Sequence, residues 1–421
     1  METQNIKNGV DLHIISAPKF KTNAISVYFN IPFARSTVTK AALLPAVLKR
    51  GCIKYPTLKD FSIRLDEMFS ASLEAGCRQK GDGEVIYITA EYISDKFAGE
   101  ELSRSIAEFL RDFIFAPLAE NGGFLKKYVD GEKVNLKNDI VGLINDKKEY
   151  AEFRCREEMF GKDGCGMSEL GYIEDLDGIT PQSLYEFYQK LILSAKVDIF
   201  VSGTADEKTL KNVKTVLCGA FVPRNAAFVV SNIANYRCGD IRKVTEEADT
   251  VQSKLCMGLI CKTEPSGDDY YALLLANCIF GASPFSKLFN NVREKLSLAY
   301  YVISKVTRLK SFMLISSGIQ TENFDAAYNE IMLQLEKMQN GEIEDAEISA
   351  AKKYMQNAFT SIGDSIKSTE DFYLGQAILG SDDGIDKFID GITAVTKEKL
   401  CEAMKRVKLD TVYFLKGKTE V

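Results

Sequence analysis

The chain carries the same sequence pattern twice. Residues 42–51 read Ala-Leu-Leu-Pro-Ala-Val-Leu-Lys-Arg-Gly, and residues 272–281 read Ala-Leu-Leu-Leu-Ala-Asn-Cys-Ile-Phe-Gly, with five identities in ten positions. The sequence Asp-Gly-Ile-Thr also occurs twice, at 177–180 and 390–393, each time ahead of a helical pattern and then a strand-like run. Matching landmarks in the same order predict two homologous domains and argue against a short-period solenoid.

The segments around these repeats predict an α+β fold. Ile25–Ile31 and Lys254–Ile260 precede the two Ala-Leu-Leu segments and are apolar and strand-like, and Val85–Ala90 is rich in β-branched and aromatic residues. Apolar residues recur at helical spacing between positions 102 and 113, and Pro117 then ends the predicted helix. Because strands and long helices do not strictly alternate, we expect helices on one face of a sheet in each domain.

The predicted domain boundaries place an N-terminal domain at 1–228, a linker at 229–250 and a C-terminal domain at 251–421. The stretch from Phe221 to Thr250 mixes proline, asparagine, glycine and charged residues with few periodic positions, as interdomain linkers do. A chain of 421 residues that is 46% hydrophobic contains enough apolar material for two packed cores.

The composition excludes several kinds of partner. The net charge of -6 is spread over segments of mixed sign without a basic block, which argues against nucleic acid and against an anionic membrane surface. The N-terminus lacks the apolar core of a signal peptide, and no uncharged apolar run reaches the ~18 residues of a membrane span. Ten cysteines without a C-x-x-C pair favour reduced, buried thiols, with a secreted disulfide framework as the alternative. We therefore expect a cytoplasmic protein.

The chain has one histidine, His13, within the strand-like run Val10–Ile15. The simplest interpretation is an edge or partly packed strand residue. A mechanism that needs two histidines is therefore excluded within this chain. Serine–histidine or cysteine–histidine catalysis would depend on His13 alone, with no recognisable motif around it.

Two blocks carry a resemblance to a known family. One is the helix at 40–51, which ends in Arg50-Gly51, and the other is the run Asn290–Lys295 followed by Leu298-Ala299-Tyr300. Together with the two-domain repeat, they resemble the pitrilysin/insulinase (M16) zinc peptidases, a group that includes the mitochondrial processing peptidases. The resemblance covers essentially the whole chain. It implies two α+β domains of the type found in LuxS and the mitochondrial processing peptidases, arranged as a half-clam.

The same resemblance implies that the zinc site is lost. Active members carry His-x-x-Glu-His just ahead of a Lys/Arg-Gly pair, so that two imidazoles on one helix face hold zinc and the glutamate acts as general base. Registered on Gly51, those roles fall on Ala42, Pro45 and Ala46, and the distal third ligand falls near Asp139. Alanine has no ligand atom, and proline cannot accept a proton. We expect no metal cofactor in this chain and zinc in a partner subunit.

Pro45 also bears on the helix itself. Inside a helix, proline forfeits a hydrogen bond and clashes with the preceding turn, at a cost of ~3 kcal/mol or more. If the helix starts between Ser36 and Thr39, Pro45 lies in its second turn and predicts a kink. The alternative is that Pro45 lies near a frayed helix start.

The second half retains residues that the family uses on its substrate. M16 C-terminal domains contribute an arginine and a tyrosine seven residues apart, and Arg293 and Tyr300 match that spacing, although Ala299 stands where glycine is frequent. Arginine offers fixed donors to a carbonyl or carboxylate, and a tyrosine hydroxyl can stabilise an oxyanion. The alternative is that Arg293 forms a surface ion pair with Glu294 or a nearby acid and Tyr300 is a packing residue.

A retained Arg/Tyr pair without a zinc motif resembles the non-metal subunit of a bacterial M16 pair. The segments 143–151 and 172–180 look most like the inactive member of a Firmicute-type pair associated with modification of elongation factor P. The resemblance implies a heterodimer with a sister subunit that has an intact motif, or a homodimer when isolated, and a peptide substrate. The alternative is a peptide- or protein-binding scaffold with no proteolytic role.

Overall fold

The computed structural model describes residues 1–161, 164–228 and 240–418. The chain divides into two compact units: unit 1 comprises 1–141, 168–230 and 365–382, and unit 2 comprises 142–167, 231–364 and 383–421. Two segments are therefore exchanged relative to chain order. Residues 142–167 belong to the unit formed mainly by the second half of the chain, and residues 365–382 belong to the unit formed by the first half.

The described elements have the following bounds. The strands are β1 Glu2–Lys7, β2 Val10–Ser16, β3 Thr22–Pro32, β4 Ser72–Lys80, β5 Gly83–Ile93, β6 Ala119–Glu120, β7 Gly123–Phe124, β8 Lys196–Gly203, β9 Arg242–Ala248, β10 Ser253–Ile260, β11 Ala299–Thr307, β12 Phe312–Ile319 and β13 Lys408–Gly417. The helices are α1 Val38–Leu48, α2 Leu58–Glu67, α3 Asp95–Ala98, α4 Leu102–Phe115, α5 Lys126–Gly142, α6 Lys147–Phe160, α7 Ile173–Leu176, α8 Pro181–Ser194, α9 Glu207–Asn212, α10 Asp268–Asn277, α11 Phe324–Asn340, α12 Asp345–Ile362, α13 Ile366–Ile378, α14 Ile385–Thr393 and α15 Lys397–Arg406. The described residues include three π-helical segments: Val213–Leu217, Cys278–Ala282 and Phe289–Lys295.

The two main sheets have the same topology. In unit 1 the strand order is β4-β5-β3-β8-β2-β1, and in unit 2 it is β11-β12-β10-β13-β9. Among the described strands, β2 and β8 pair in parallel in unit 1, and β9 and β13 pair in parallel in unit 2. The other neighbouring strands are antiparallel. Within the part of the chain that the structure describes, β1 of unit 1 has no counterpart in the sheet of unit 2. The shared order and pairing confirm the predicted α+β fold and its internal duplication.

In unit 1 one face of the sheet carries the main core. Helices α1, α4 and α8 contribute apolar side chains to a cluster with Ile25, Val27 and Phe29 of β3. The opposite face is covered by α13, where Leu374 packs with Tyr28 and Phe200. We expected helices on one face of the sheet only. Helix α13, from the exchanged segment 365–382, adds a helical layer on the opposite face.

In unit 2 the corresponding second face is covered by α6. Ala151, Cys155 and Met159 recur every four residues along this helix and pack on Cys256 and other residues of the sheet. The helix therefore presents one apolar face. A Cβ atom at Gly258 would lie 2.1 Å from the Met159 sulfur. Because glycine has no side chain, Met159 can pack against the sheet at this position.

The predicted linker at 229–250 requires one correction. Residues 229–239 lie outside the described part of the chain, but Arg242–Ala248 is a strand that pairs in parallel with β13. The exposed positions of this strand carry charged side chains, so the sequence shows no apolar strand pattern there. Its position in the fold depends on main-chain pairing with β13. The other predicted boundaries stay a prediction. Within the described ranges, no helix combines the length and apolar character needed to cross a membrane.

Candidate functional site

Helix α1 places the predicted metal-ligand positions in unit 1. It starts at Val38, inside the predicted interval, and continues through Pro45 to Leu48. Ala42 and Ala46 are half-buried and Pro45 is buried. Positions 42 and 46 are separated by one helical turn and share a face, so the two residues present methyl groups where two imidazoles would be needed.

Polar contacts lie at both ends of this face. At its N-terminal end, Thr39 Oγ1 donates to Asp175 Oδ2 at 2.5 Å, and Arg35 forms an ion pair with the same carboxylate at 2.5 Å. Although burial opposes the effect, these hydrogen bonds lower the pKa of Asp175. At the C-terminal end, Arg50 forms an ion pair with the buried Glu132 of α5. Both carboxylates therefore already have guanidinium partners.

Asp139 does not complete a metal site. It is an exposed residue on α5, seven positions after Glu132, and it forms no ion pair within the described part of the chain. Across residues 1–161, 164–228 and 240–418, no three potential ligands among His, Cys, Asp and Glu converge on one point. Because alanine and proline offer no donor atom, the side chains of α1 do not fit zinc. The sequence did not identify Glu132, which is buried on α5 and pairs with Arg50.

His13 is buried rather than partly packed, which corrects the prediction. Its ring lies 4.5 Å from that of Phe200 in a stacked arrangement, with Thr3 Oγ1 2.9 Å from Nδ1 and Asp198 Oδ1 2.9 Å from Nε2. Strand β1 supplies Thr3 and occupies the sheet edge, so β2 is an interior strand. Asp198 also accepts from Lys196 at 2.7 Å. The histidine is therefore committed to a buried polar network.

Arg293 lies in unit 2, in the π-helical segment Phe289–Lys295. Its guanidinium carbon is 4.7 Å from the centre of the Phe289 ring, and its side chain is 43% exposed. The Nε atom is 3.7 Å from a carboxylate oxygen of Glu294, so the alternative ion pair exists but is long for a hydrogen bond. An exposed pair of this kind contributes ~0–1 kcal/mol and leaves the guanidinium available to a ligand.

Tyr300 is not a core packing residue, because 56% of it is exposed. It lies near the start of β11, where the register opposite Ile319 and Gly318 is irregular. Its hydroxyl accepts a hydrogen bond from Gln320 Nε2 at 2.7 Å, and its own proton can still be donated. The sequence pattern identified Tyr300, but it did not identify Gln320, which reaches the hydroxyl from beyond the end of β12.

Each sheet has an edge strand at the equivalent topological position. Strand β4 is the edge of the first sheet and β11 is the edge of the second. Helix α1 packs near β4, and Tyr300 lies on β11. The main chain of an edge strand is unpaired on one side and can pair with an extended peptide. Each unit thus places one predicted site next to an edge strand of its sheet.

Comparisons with known proteins agree with this description. The Peptidase M16 inactive domain matches residues 178–355. The probable inactive metalloprotease YmfF of Bacillus subtilis is 33% identical over 420 residues, covering 99% of this chain and 98% of that protein. The uncharacterized zinc protease YmxG of the same organism is 24% identical over 247 residues, 57% of this chain and 58% of that protein. A solved structure of a conserved protein from Enterococcus faecalis is 30% identical, with a TM-score of 0.91 over 100% of this chain and 99% of that chain.

Proposed function

Because this chain belongs to the M16 peptidase family and α1 presents no metal-binding side chain, we propose that it is the non-metal subunit of a heteromeric zinc peptidase. In this proposal it binds an extended peptide and completes the active chamber of a cytoplasmic complex. A sister subunit with an intact His-x-x-Glu-His motif supplies the zinc, and the isolated chain is a homodimer. The coarser statement, an inactive M16 peptidase-like protein, follows from the family and from YmfF.

The observation that carries the proposal is the presentation of Tyr300. Tyr300 is 56% exposed on an edge strand, and Gln320 orients its hydroxyl. A hydroxyl oriented in this way can donate to a carbonyl oxygen as negative charge develops on it. A peptide that pairs with the free edge of β11 would run its carbonyl groups past this side chain.

Arg293 supports the same role from the helical segment before β11. Its stacking on Phe289 limits the orientations of the guanidinium, and its exposed face can reach a substrate carbonyl or carboxylate. In the proposal, Arg293 contributes to peptide binding and Tyr300 contributes to the transition state. The occurrence of both an inactive and a zinc-protease relative in Bacillus subtilis supports a division of these tasks between two chains.

The test is reconstitution with an M16 chain that carries the intact motif. The isolated protein should bind no stoichiometric zinc and should cleave no peptide, whereas the co-expressed pair should co-purify and cleave an internally quenched peptide library. Tyr300→Phe should reduce turnover by ~10²–10³-fold, since it removes one transition-state donor. The mutant complex should elute unchanged on size exclusion. A complex that retains full turnover with Tyr300→Phe would leave the scaffold role as the better account.

A further inference from the structure

Unit 1 contains an open cavity of about 390 Å³ that the proposed peptidase role does not use. Its volume is within the range of ~300–1,000 Å³ typical of ligand pockets. The end of β3 and the start of β8 form its floor, with Asn30 and Lys196, and α8 forms one wall. The loop before α1 and segment 225–228 form the remaining walls.

Among the described residues, the charged side chains that line this cavity belong to two lysines. They are Lys190 and Lys196, and no aspartate or glutamate is among the described lining residues. The Lys196 ammonium is already occupied, because it lies 2.7 Å from Asp198 Oδ1 and 3.0 Å from Asp11 Oδ2 and donates to the Val197 carbonyl at 3.1 Å. Lys190 is exposed at the rim and has no carboxylate partner among the described residues. Of the two lining lysines in the described part of the chain, Lys190 is therefore the one that is free to receive an anion.

The walls of the cavity are mainly apolar, with side chains from Ile31, Pro32, Phe187, Leu191 and Phe228. A ligand that fits must combine an apolar group with a carboxylate near Lys190. Asn30 donates its amide nitrogen to Asp198 at 2.9 Å, so its carbonyl oxygen can accept a hydrogen bond from a ligand N–H group.

The segment 225–228 favours a peptide over a simple carboxylic acid. Arg224 fixes its start, because its backbone N–H donates to the Asn8 carbonyl at 2.9 Å and its guanidinium donates to the Ile192 carbonyl at 2.6 Å. Beyond Arg224, the main chain of Ala226 and Ala227 forms no backbone hydrogen bond with another described residue. An anchored, unpaired main chain can pair with the main chain of a bound peptide.

We propose that this cavity binds the C-terminal residue of a peptide whose last side chain is apolar. The side chain enters between α8 and segment 225–228, the terminal carboxylate meets Lys190, and the last amide N–H reaches Asn30. This site goes beyond the proposed peptidase role, because it needs neither a partner subunit nor Arg293 and Tyr300.

The absence of tryptophan from the chain provides a direct assay. A pentapeptide with tryptophan at the fourth position and a C-terminal leucine can be titrated into the full chain while tryptophan emission is followed without protein background. The same peptide with an amidated C-terminus should bind about tenfold more weakly, since it loses a charge-assisted hydrogen bond. Equal affinity of the acid and the amide would overturn the proposal, as would binding of 4-phenylbutyrate as tight as that of the peptide acid.

Two variants locate the site. Lys190→Glu reverses the charge at this position and should weaken binding of the peptide acid by about tenfold or more, with little effect on binding of the peptide amide. Ala226→Phe places an aromatic ring in the cavity from segment 225–228 and should weaken binding of both peptides. The matched control is Lys59→Glu, a charge reversal at an exposed lysine of α2 outside the cavity, which should leave both affinities unchanged. Unchanged binding in Lys190→Glu, or equal losses in Lys190→Glu and Lys59→Glu, would contradict the assignment.

Discussion

Replacement of Glu370 by alanine should destabilise unit 1 far more than replacement of a neighbouring charged residue. Glu370 lies on α13 and is buried against the second face of the sheet. Its carboxylate accepts hydrogen bonds from Ser26 at 2.6 Å, Tyr28 at 3.0 Å and Ser202 at 2.6 Å. These three hydroxyls lie on β3 and β8, so a single side chain ties the exchanged helix to the two central strands.

The expected cost follows from the three donors that alanine leaves without this acceptor. A lost hydrogen bond costs ~1 kcal/mol, and a buried unsatisfied donor costs ~1–3 kcal/mol. Removal of a buried carboxylate also relieves a desolvation cost, as the raised pKa of Glu370 shows. The net loss in the free energy of unfolding is therefore about 2–4 kcal/mol, and a unit of this size should melt roughly 5–15 °C lower.

Lys367→Ala on the same helix is the matched control. Lys367 pairs with Glu74 at 2.8 Å, but the two side chains are 73% and 48% exposed. Such a pair contributes at most about 1 kcal/mol, so the melting temperature should fall by less than about 4 °C. Calorimetry gives both shifts, and hydrogen exchange should show protection lost across α13 in Glu370→Ala. Equal melting temperatures and exchange for the two variants would refute the argument that the buried hydrogen bonds hold α13 in place.

Three further outcomes are expected. Burial raises the pKa of Glu370 above its ordinary value of 4.5, so the stability linked to its protonation is complete below that value and is lost as the pH rises through the folded-state pKa. The stability difference between wild type and Glu370→Gln should change in that sense across a pH series of denaturant titrations. Gly258→Ala should lower the free energy of unfolding by ~1–3 kcal/mol, because the added methyl group forces Met159 off the sheet. Gly131→Ala, in an open position on α5, should raise it by ~0.5–1 kcal/mol, and denaturant unfolding would reveal the opposite signs. In the reconstituted complex, Arg293→Ala should raise KM, whereas Asp139→Ala should change neither kcat nor KM. A large effect of the Asp139 variant would contradict the assignment of zinc to the partner.

The sequence by itself determined the statements that depend on residue chemistry and on local pattern. Ala42, Pro45 and Ala46 have no side-chain ligand atom in any fold, so the loss of the metal-binding motif is independent of tertiary structure. The duplication was readable because each copy repeats the same landmarks in the same order. The strand and helix assignments at 85–90 and 102–113 rested on periodicity within a dozen residues, and both are confirmed.

Only the tertiary structure decided the features that join distant parts of the chain. Glu370 meets Ser26 across 344 positions, and no local pattern in α13 records which sheet will cover it. The burial of His13 depends on β1 occupying the sheet edge, and strand β9 depends on parallel pairing with β13. The orientation of Tyr300 by Gln320 and the cavity beside Lys190 likewise require side chains from separate elements to converge. Such contacts arise from packing and main-chain pairing between segments, and the residues that form them carry no periodic signal of their partners.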